Sequence, residues 1–452
     1  METDRIIKNV ARFRDVEKYS FIVEYVPPII RPPLKGQDVL AVPPLDVYVH
    51  IPDCPYICDF CSFYKVRKMT DGQRDRYIGA LGKEIGLYIT QTNLGQRPIS
   101  TLFFGGGTPT RLTPTQFSVL MGILRGKLRF SRGIEITVES TPDTLSNEIL
   151  SAMKQEGVNR LSIGVQDFND DVLEARKRGH TGKEAMDAFQ RARRGYGFDR
   201  INIDLIYRLP KQSPENWRKN LDIIAGLRPD YVTLYHLRKE RRTVLGKLDE
   251  SHFPTKEQAI EMYVNALEFL VGLGYTQISA NQFAKPGKEF VQQENKWHLG
   301  SELLGLGISA YSCFNGYSYR NIGKFGGTDT IDDYIKKVES GCLPIESGEK
   351  LTPLDEMCRF AVFAIKTSGI NRPDGGIDKR LFRQRFGLPV EFVFPEVLEK
   401  LKKDELIEET GTHIRLTLPG LVIAEEAAAM FYSDEIRKRL REKNDLFGRG
   451  GL

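Results

Sequence analysis

Between residue 45 and about residue 275, short β-rich runs alternate with longer stretches whose apolar residues recur at three and four positions. The runs predict strands over Leu45–Ile51, Thr101–Gly105, Glu135–Glu139, Arg160–Gly164, Arg200–Leu205 and Tyr231–Tyr235, mostly bounded by Gly, Pro or Asp. The intervening stretches predict helices over Asp71–Ile89, Pro114–Arg125, Ser146–Gln155, Lys183–Arg194 and Pro214–Leu227. Pairs such as Ile149 with Met153 and Leu221 with Ile224 place their side chains on one helix face, the face that packs on a sheet. Six βα units predict an α/β protein with a parallel sheet, open or rolled into a barrel. In either case functional groups gather at the C-terminal strand ends, where loops and helix N-termini meet a ligand.

The flanks differ. Pro27–Pro44 holds six prolines and continues neither a helix nor a central strand, so residues 1–44 are expected to form an extended arm. Residues 276–350 are expected to extend the sheet and shape the substrate region. After about residue 350 the pattern becomes helix, helix, hairpin, helix: Asp378–Phe386, Pro395–Lys403, Leu406–Glu409 and Ile414–Leu416 about the turn 410–412, then Leu421–Ala429. This pattern over 351–452 resembles a winged helix, but Glu396, Glu399 and Asp404 offset Lys400, Lys402 and Lys403 on the would-be recognition helix, which favours a structural or lid role over DNA binding. The whole chain carries 65 Lys+Arg against 60 Asp+Glu, a net +5 that leaves no electrostatic footprint of a nucleic-acid binder. No apolar run reaches bilayer length and the first residues lack a signal-peptide core, so a cytoplasmic protein acting on a small molecule is expected.

Six cysteines in 452 residues do not make a disulfide framework, and three of them crowd into Cys54-Pro55-Tyr56-Ile57-Cys58-Asp59-Phe60-Cys61 directly after the first strand. So short a loop can wrap three soft thiolates around a compact iron-sulfur core. Zinc is the alternative, but structural zinc takes four ligands and no fourth stands nearby. Four irons on three cysteines leave one iron open to another ligand. At the end of the next strand, Phe103-Phe104-Gly105-Gly106-Gly107-Thr108-Pro109-Thr110 lets backbone approach a ligand closely. Pro109 and Arg111 stand where a phosphate-binding loop would continue with Lys-Ser/Thr, which argues against a nucleotidase.

Together these motifs resemble the radical S-adenosylmethionine (SAM) superfamily. The likeness extends through Val138–Pro142, Arg160–Phe168, Asn202–Tyr207 with Leu209-Pro210, Phe283–Gly287 and Leu304–Gly307, in the order and spacing of the group that holds oxygen-independent coproporphyrinogen III oxidase, its haem-chaperone relatives and the class C radical SAM methyltransferases. It implies a partial (β/α)6 barrel over 45–275 and a [4Fe-4S] cluster held by Cys54, Cys58 and Cys61. It also implies a SAM on the open iron, cleaved by one electron to a 5′-deoxyadenosyl radical and contacted by Tyr48, Gly106 and Glu139. Phe60, Gly107, Thr108, Gln166, Arg178 and Asp204 match the positions around a second SAM. A flavodoxin- or ferredoxin-type protein is the implied electron donor.

Each assignment has a plainer reading. Asp204 can cap a loop, Arg178 can belong to the solvated run Arg176-Lys177-Arg178, Gln166 can bridge strands, and His50 can be a buried, hydrogen-bonded ring rather than part of the cluster's shell. Cys342 and Cys358 read as packing, as does Cys313, although a cysteine near substrate can also pass a hydrogen atom. The group's branches differ at a few places. The oxidases carry a further cysteine two residues after the third ligand, here Phe63; the chaperones carry His-Asn-x-x-Tyr-Trp, here Gln292–Trp297 without His or Tyr. Cys58–Tyr64 resembles the Cys-x-Phe-Cys-x-Phe-Phe of the methyltransferases. Asp53 replaces a usual aromatic residue, and Arg208 a usual glycine, placing a guanidinium where it can meet substrate or a SAM carboxylate. On this basis C-methylation or cyclopropanation with two SAM molecules is expected, with Asp204, Gln166, Arg178 and Cys313 as its catalytic residues. Porphyrinogen decarboxylation and haem trafficking are the alternatives.

Overall fold

The computed structural model describes residues 44–437, except 238, 241–242, 297–299, 324–326 and 434–435. The arm expected over 1–44, Pro44 apart, and the chain beyond 437 lie outside the described residues. All six expected strands form: β1 (Leu45–Ile51), β2 (Pro98–Gly106), β3 (Arg129–Ser140), β4 (Arg160–Gln166), β5 (Ile201–Tyr207) and β6 (Tyr231–His236). They pair in parallel in that order. β2 and β3 start earlier than the pattern predicts, because Pro98 pairs with Arg129 and Ile99 with Phe130 ahead of a register shift. Between the strands run α1 (Asp71–Gln91), α2 (Pro114–Lys127), α3 (Asn147–Gln155), α4 (Gly182–Gln190) and α5 (Pro214–Leu227). Their starts are set by hydroxyl caps: Thr70, Thr113, Ser146, Thr181 and Ser213 each accept a backbone N–H of the first turn, which meets a donor the helix cannot satisfy itself.

The sheet continues past β6 through α6 (Lys256–Gly272), β7 (Thr276–Ser279), β8 (Gln282–Ala284), β9 (Glu302–Leu306), β10 (Tyr311–Phe314), β11 (Tyr317–Asn321) and β12 (Ile345–Lys350). β9 lies parallel to β1 on the edge away from β2, and the remaining additions are antiparallel. The twelve strands run β12-β11-β10-β9-β1-β2-β3-β4-β5-β6-β8-β7, an order with two ends, so the barrel is partial. Alternation along the parallel strands sets its two faces. Leu45, Val47, Val49 and Ile51 of β1, Leu161, Ile163 and Val165 of β4, and Ile201, Ile203 and Leu205 of β5 are buried with the helices in one continuous apolar core. The residues between them are Asp46, Tyr48, His50, Arg160, Ser162, Asn202 and Asp204, and these line a polar lumen.

A C-terminal α+β unit follows α7 (Pro353–Ile365). It comprises α8 (Lys379–Phe386), α9 (Pro395–Lys403) and a small sheet of β13 (Ile377–Asp378), β14 (Ile407–Glu409) and β15 (His413–Leu416), with β15 in the middle. The winged-helix-like pattern is present. The helix expected over Leu421–Ala429 is two short ones, Leu418–Val422 and Ala424–Ala429, because Ile423 leaves helical geometry with φ −117° and ψ 39°.

Candidate functional site

β1 delivers the chain to the cysteine loop. Residues Asp53–Cys54 pair in parallel with Val66–Arg67, closing the loop at its base. Asp53 is fully buried and anchors that base: its carboxylate accepts from the Met69 N–H (2.9 Å) and Arg74 (2.6 Å), with Arg111 at 3.5 Å. An aspartate where the family carries an aromatic residue is thus tied into the start of α1 and the turn after β2. Cys54 is buried, while Cys58 and Cys61 are half-buried. Burial pushes the Cys54 thiol up to about 12, and charge on Cys61 and Cys58 adds to the shift. Among the described residues no three His, Cys, Asp or Glu side chains are gathered as a set for a single metal ion.

The surroundings fit a thiolate-bound cluster. Arg178 donates to Cys58 Sγ (3.3 Å) and to the Gly164 carbonyl, Thr108 Oγ1 donates to Cys54 Sγ (3.7 Å), and Lys65 folds back onto the carbonyls of Cys61 (2.8 Å) and Phe63 (3.1 Å). The charges of Arg178 and Lys65 favour the anionic sulfur that iron requires. The Nε of Arg178 and the Oε1 of Gln166 are buried without a protein partner, so the site holds polar capacity a ligand can use. Gln166, at the end of β4, takes φ 74°, a left-handed conformation unusual for a side-chain-bearing residue.

The glycine loop is more committed than the sequence implies. Gly107 N–H donates to Ile51 O and Thr108 N–H to Asp53 O, each at 2.8 Å, stitching the loop to the base of the cysteine loop. A Cβ on Gly107 would lie 2.7 Å from Asp53 O, so this glycine is needed for backbone approach within the protein. Gly106, at φ 104°, donates to Glu139 Oε2 (3.3 Å) and faces the His50 ring, 2.5 Å from where a Cβ would stand. His50 is buried, and burial lowers its pKa to about 4, so it is neutral. Its Nε2 meets Tyr64 O at 3.0 Å and its Nδ1 the Tyr48 hydroxyl at 3.1 Å. With Nε2–H donating to the carbonyl, Nδ1 accepts from Tyr48. His50 thus links Tyr48 to the end of the cysteine loop.

Within the lumen, Tyr48 stacks on Phe103 at 5.9 Å. Burial, then the nearby charge of Asp204, pushes Glu139 up to about 8. Asp204 accepts from Ser162 (3.0 Å) and Asn202 (2.8 Å), and burial raises it too. Tyr48, Gly106, Gly107, Thr108, Glu139, Gln166, Arg178 and Asp204 thus surround the mouth and lumen beside the three cysteines. Phe60 packs against Val172, Ile206, Leu209 and Phe253. Cys313 is not brought to them: on β10 it neighbours Lys296, Glu302, Glu356 and Arg359. Arg208 is also committed elsewhere, to Glu250 (2.7 Å) and Pro254 O (3.2 Å). Arg160, Ser162, Asn202, Thr233 and Tyr235 join the site without belonging to its cysteine or glycine motifs. Their signal is a polar or aromatic residue at every second position of a strand whose other positions are apolar.

Three thiols on a loop after the first strand of a partial barrel, with a glycine strand end beside them, define a radical SAM enzyme, whose cofactors are a [4Fe-4S] cluster and SAM. The Radical SAM superfamily model matches residues 48–224 and the HemN C-terminal domain model residues 372–423. The oxygen-independent coproporphyrinogen III oxidase of Escherichia coli (strain K12) is 35% identical over 415 residues, covering 88% of this chain and 87% of that protein. Heme chaperone HemW of Bacillus subtilis (strain 168) is 31% identical over 391 residues, 86% of this chain and 99% of that one. The solved structure of the Escherichia coli coproporphyrinogen III oxidase HemN, a radical SAM enzyme, matches with a TM-score of 0.76 at 28% identity over 91% of this chain and 96% of that one. The chain belongs to the coproporphyrinogen III oxidase and HemW family of radical SAM proteins.

These relatives overturn the expectation of C-methylation or cyclopropanation. The Cys-x-Phe-Cys-x-Phe spacing behind it does not require methyl transfer: Phe60 packs against a hydrophobic cluster of the protein itself and Phe63 is 62% exposed.

Proposed function

We propose that this protein oxidatively decarboxylates a propionate side chain of a porphyrinogen to a vinyl group. In that conversion one hydrogen atom and CO2 leave the side chain and one electron passes to an acceptor. The observation that supports this reading most is the polar lumen under the cysteine loop, where Arg160 and Asp204 act on Glu139 and Tyr48 stacks on Phe103, in a chain related over 88% of its length to an oxidase. Cys54, Cys58 and Cys61 would hold the cluster; Tyr48, Gly106 and Glu139 one SAM; and Phe60, Gly107, Thr108, Gln166, Arg178 and Asp204 a second. When bound, these groups supply a carbon-centred radical able to take hydrogen from an unactivated carbon. The protein's own residues position and shield: Arg178 and Lys65 balance thiolate charge, and Glu139 retains its proton near neutrality and so can donate as well as accept. A flavodoxin- or ferredoxin-type donor and a cytoplasmic setting complete the reading; among the described residues no helix is long and apolar enough to cross a membrane.

One observation favours heme trafficking instead: Phe63 occupies the place of the oxidases' additional cysteine. Against it, Gln292–Asn295 and Lys296 lack the histidine and tyrosine of the chaperone motif, whose last position, Trp297, lies outside the described residues. Anaerobic incubation of the reconstituted protein with SAM, reductant and coproporphyrinogen III separates the readings. Oxidase activity gives CO2, vinyl product and 5′-deoxyadenosine, without S-adenosylhomocysteine. Stable heme binding with no CO2 would overturn the proposal in favour of the chaperone.

A further inference from the structure

At the start of β4, Arg160 is 3% exposed. It shares the inward parity of Ser162, and its charge acts on Glu135, Glu139, Asp204, Tyr231 and Tyr235, groups carried by β3, β5 and β6. Only a guanidinium inside the barrel faces all three strands. Its surroundings are aromatic, with the guanidinium carbon 3.8 Å from the Phe290 ring centroid and 5.1 Å from that of Tyr231. Stacking of this kind engages the face of the guanidinium and leaves its in-plane N–H donors unused. Among the described residues those donors make no hydrogen bond or ion pair.

The neighbouring carboxylates are spoken for. Glu135 accepts from the backbone of Val291 (3.2 Å) and Gln292 (3.3 Å) and pairs with Arg200 (3.3 Å). Asp204 is held by Ser162 and Asn202, and Glu139 accepts from Gly106. Two further groups at the same level are buried without partners. Thr137 Oγ1 belongs to the residue paired with Arg160 across β3 and β4, and Gln292 Nε2 to the residue whose backbone bonds Glu135. The charge of Arg160 is balanced through space by these carboxyl groups, but its open fork, beside an orphan hydroxyl and an orphan amide, leaves room for a further hydrogen-bond acceptor.

We infer that Arg160, with Thr137 and Gln292, forms a carboxylate-binding subsite at the floor of the lumen that receives a carboxylate of the substrate. The geometry suits a planar, bidentate acceptor, which guanidinium recognises in preference to a spherical ion. The subsite lies one strand level below Glu139 and Ser162, since Thr137 pairs with Arg160 where Glu139 pairs with Ser162, and so on the side away from the cysteine loop. This depth favours a substrate carboxylate over that of SAM. The inference rests on the proposed function for the kind of substrate, while its test does not require turnover.

The test measures equilibrium binding of coproporphyrin III and of its tetramethyl ester to the cluster-loaded protein, wild type against Arg160→Gln and Arg160→Lys, with SAM binding measured in parallel. The wild type is expected to prefer the free acid; Arg160→Gln should weaken the acid by at least about tenfold, leave the ester and SAM unchanged, and thereby remove the preference. Arg160→Lys should restore part of it, since the charge returns without the fork. Equal acid and ester affinity in the wild type, or an unchanged preference in Arg160→Gln, would overturn the subsite. Loss of SAM binding with the acid preference intact would overturn it by assigning Arg160 to the carboxylate of SAM. CO2 release that persists undiminished in Arg160→Gln would overturn the subsite and leave the proposed function standing. A wild type that binds the acid through Arg160 but releases no CO2 would do the reverse.

Discussion

At Gly106 two constraints coincide, a φ of 104° and a Cβ position 2.5 Å from the His50 ring. Gly106→Ala is therefore expected to displace His50 from Tyr48 and Tyr64, keep full iron content, and weaken SAM binding by at least about tenfold, as measured by equilibrium dialysis. Each of Cys54→Ala, Cys58→Ala and Cys61→Ala should lower iron stoichiometry and bleach the visible absorbance, while Cys342→Ala, at an exposed position, should leave both unchanged. Glu139 gives a pH signature in the cluster-free protein. Its pKa rises from 4.5 unfolded to about 8 folded, so between those values the folded chain holds a proton that the unfolded chain has lost. Stability from this group is present below pH 4.5 and declines as pH rises toward 8. Glu139→Gln should remove that decline, read as a flatter melting temperature between pH 5 and 8 relative to wild type. Much of this site is legible in the sequence because the thiol spacing and the Gly-rich strand end are local. The engagement of Gly107 and Thr108 with Ile51 and Asp53 is not, since it depends on how two loops dock. Nor is the distance of Cys313 from the lumen, because eight residues after Gly305 the chain has already turned onto β10.

Among the elements, the base of the cysteine loop is anchored by the buried pair Asp53 and Arg74. Arg74 also donates to Met69 O (2.8 Å) and Gln116 (3.1 Å), so this buried pair joins the loop to α1 and α2. Asp53→Ala leaves a buried guanidinium without its main counterion and should cost about 3–5 kcal/mol, measurable by denaturant unfolding of the cluster-free protein. A cost near zero would mean that Asp71 alone balances the charge of Arg74. The strands and helices of the six βα units follow the hydrophobic pattern closely: β1 and α5 match expectation at both ends, as does α9 in the C-terminal unit. β9 escapes the pattern because it is five residues long with Gly305 near its centre, and its pairing partner is remote in sequence. The divided C-terminal helix is likewise a tertiary effect, for Gly420 packs so close to Leu406 O that a Cβ there would stand 2.0 Å away.

For the molecule as a whole, one twelve-stranded sheet spans Leu45 to Lys350, and the small β13-β15-β14 sheet stands apart from it. β1 carries the chain into the cysteine loop yet lies in the interior of the large sheet, with β2 on one side and β9 on the other. Leu45 pairs with Glu302 and Val49 with Leu306, so one edge of β1 waits for a partner made some 250 residues later. At typical synthesis rates that interval is roughly 12–50 s. Through it, the thiol loop hangs from a strand that is hydrogen-bonded on one edge only. Nascent chains stalled before residue 300 should therefore leave Cys54, Cys58 and Cys61 open to alkylation, and chains extended well beyond Lys350, the end of the large sheet, should protect Cys54. The order of synthesis thus sets a period in which iron and sulfide can reach the ligands before the sheet closes around them.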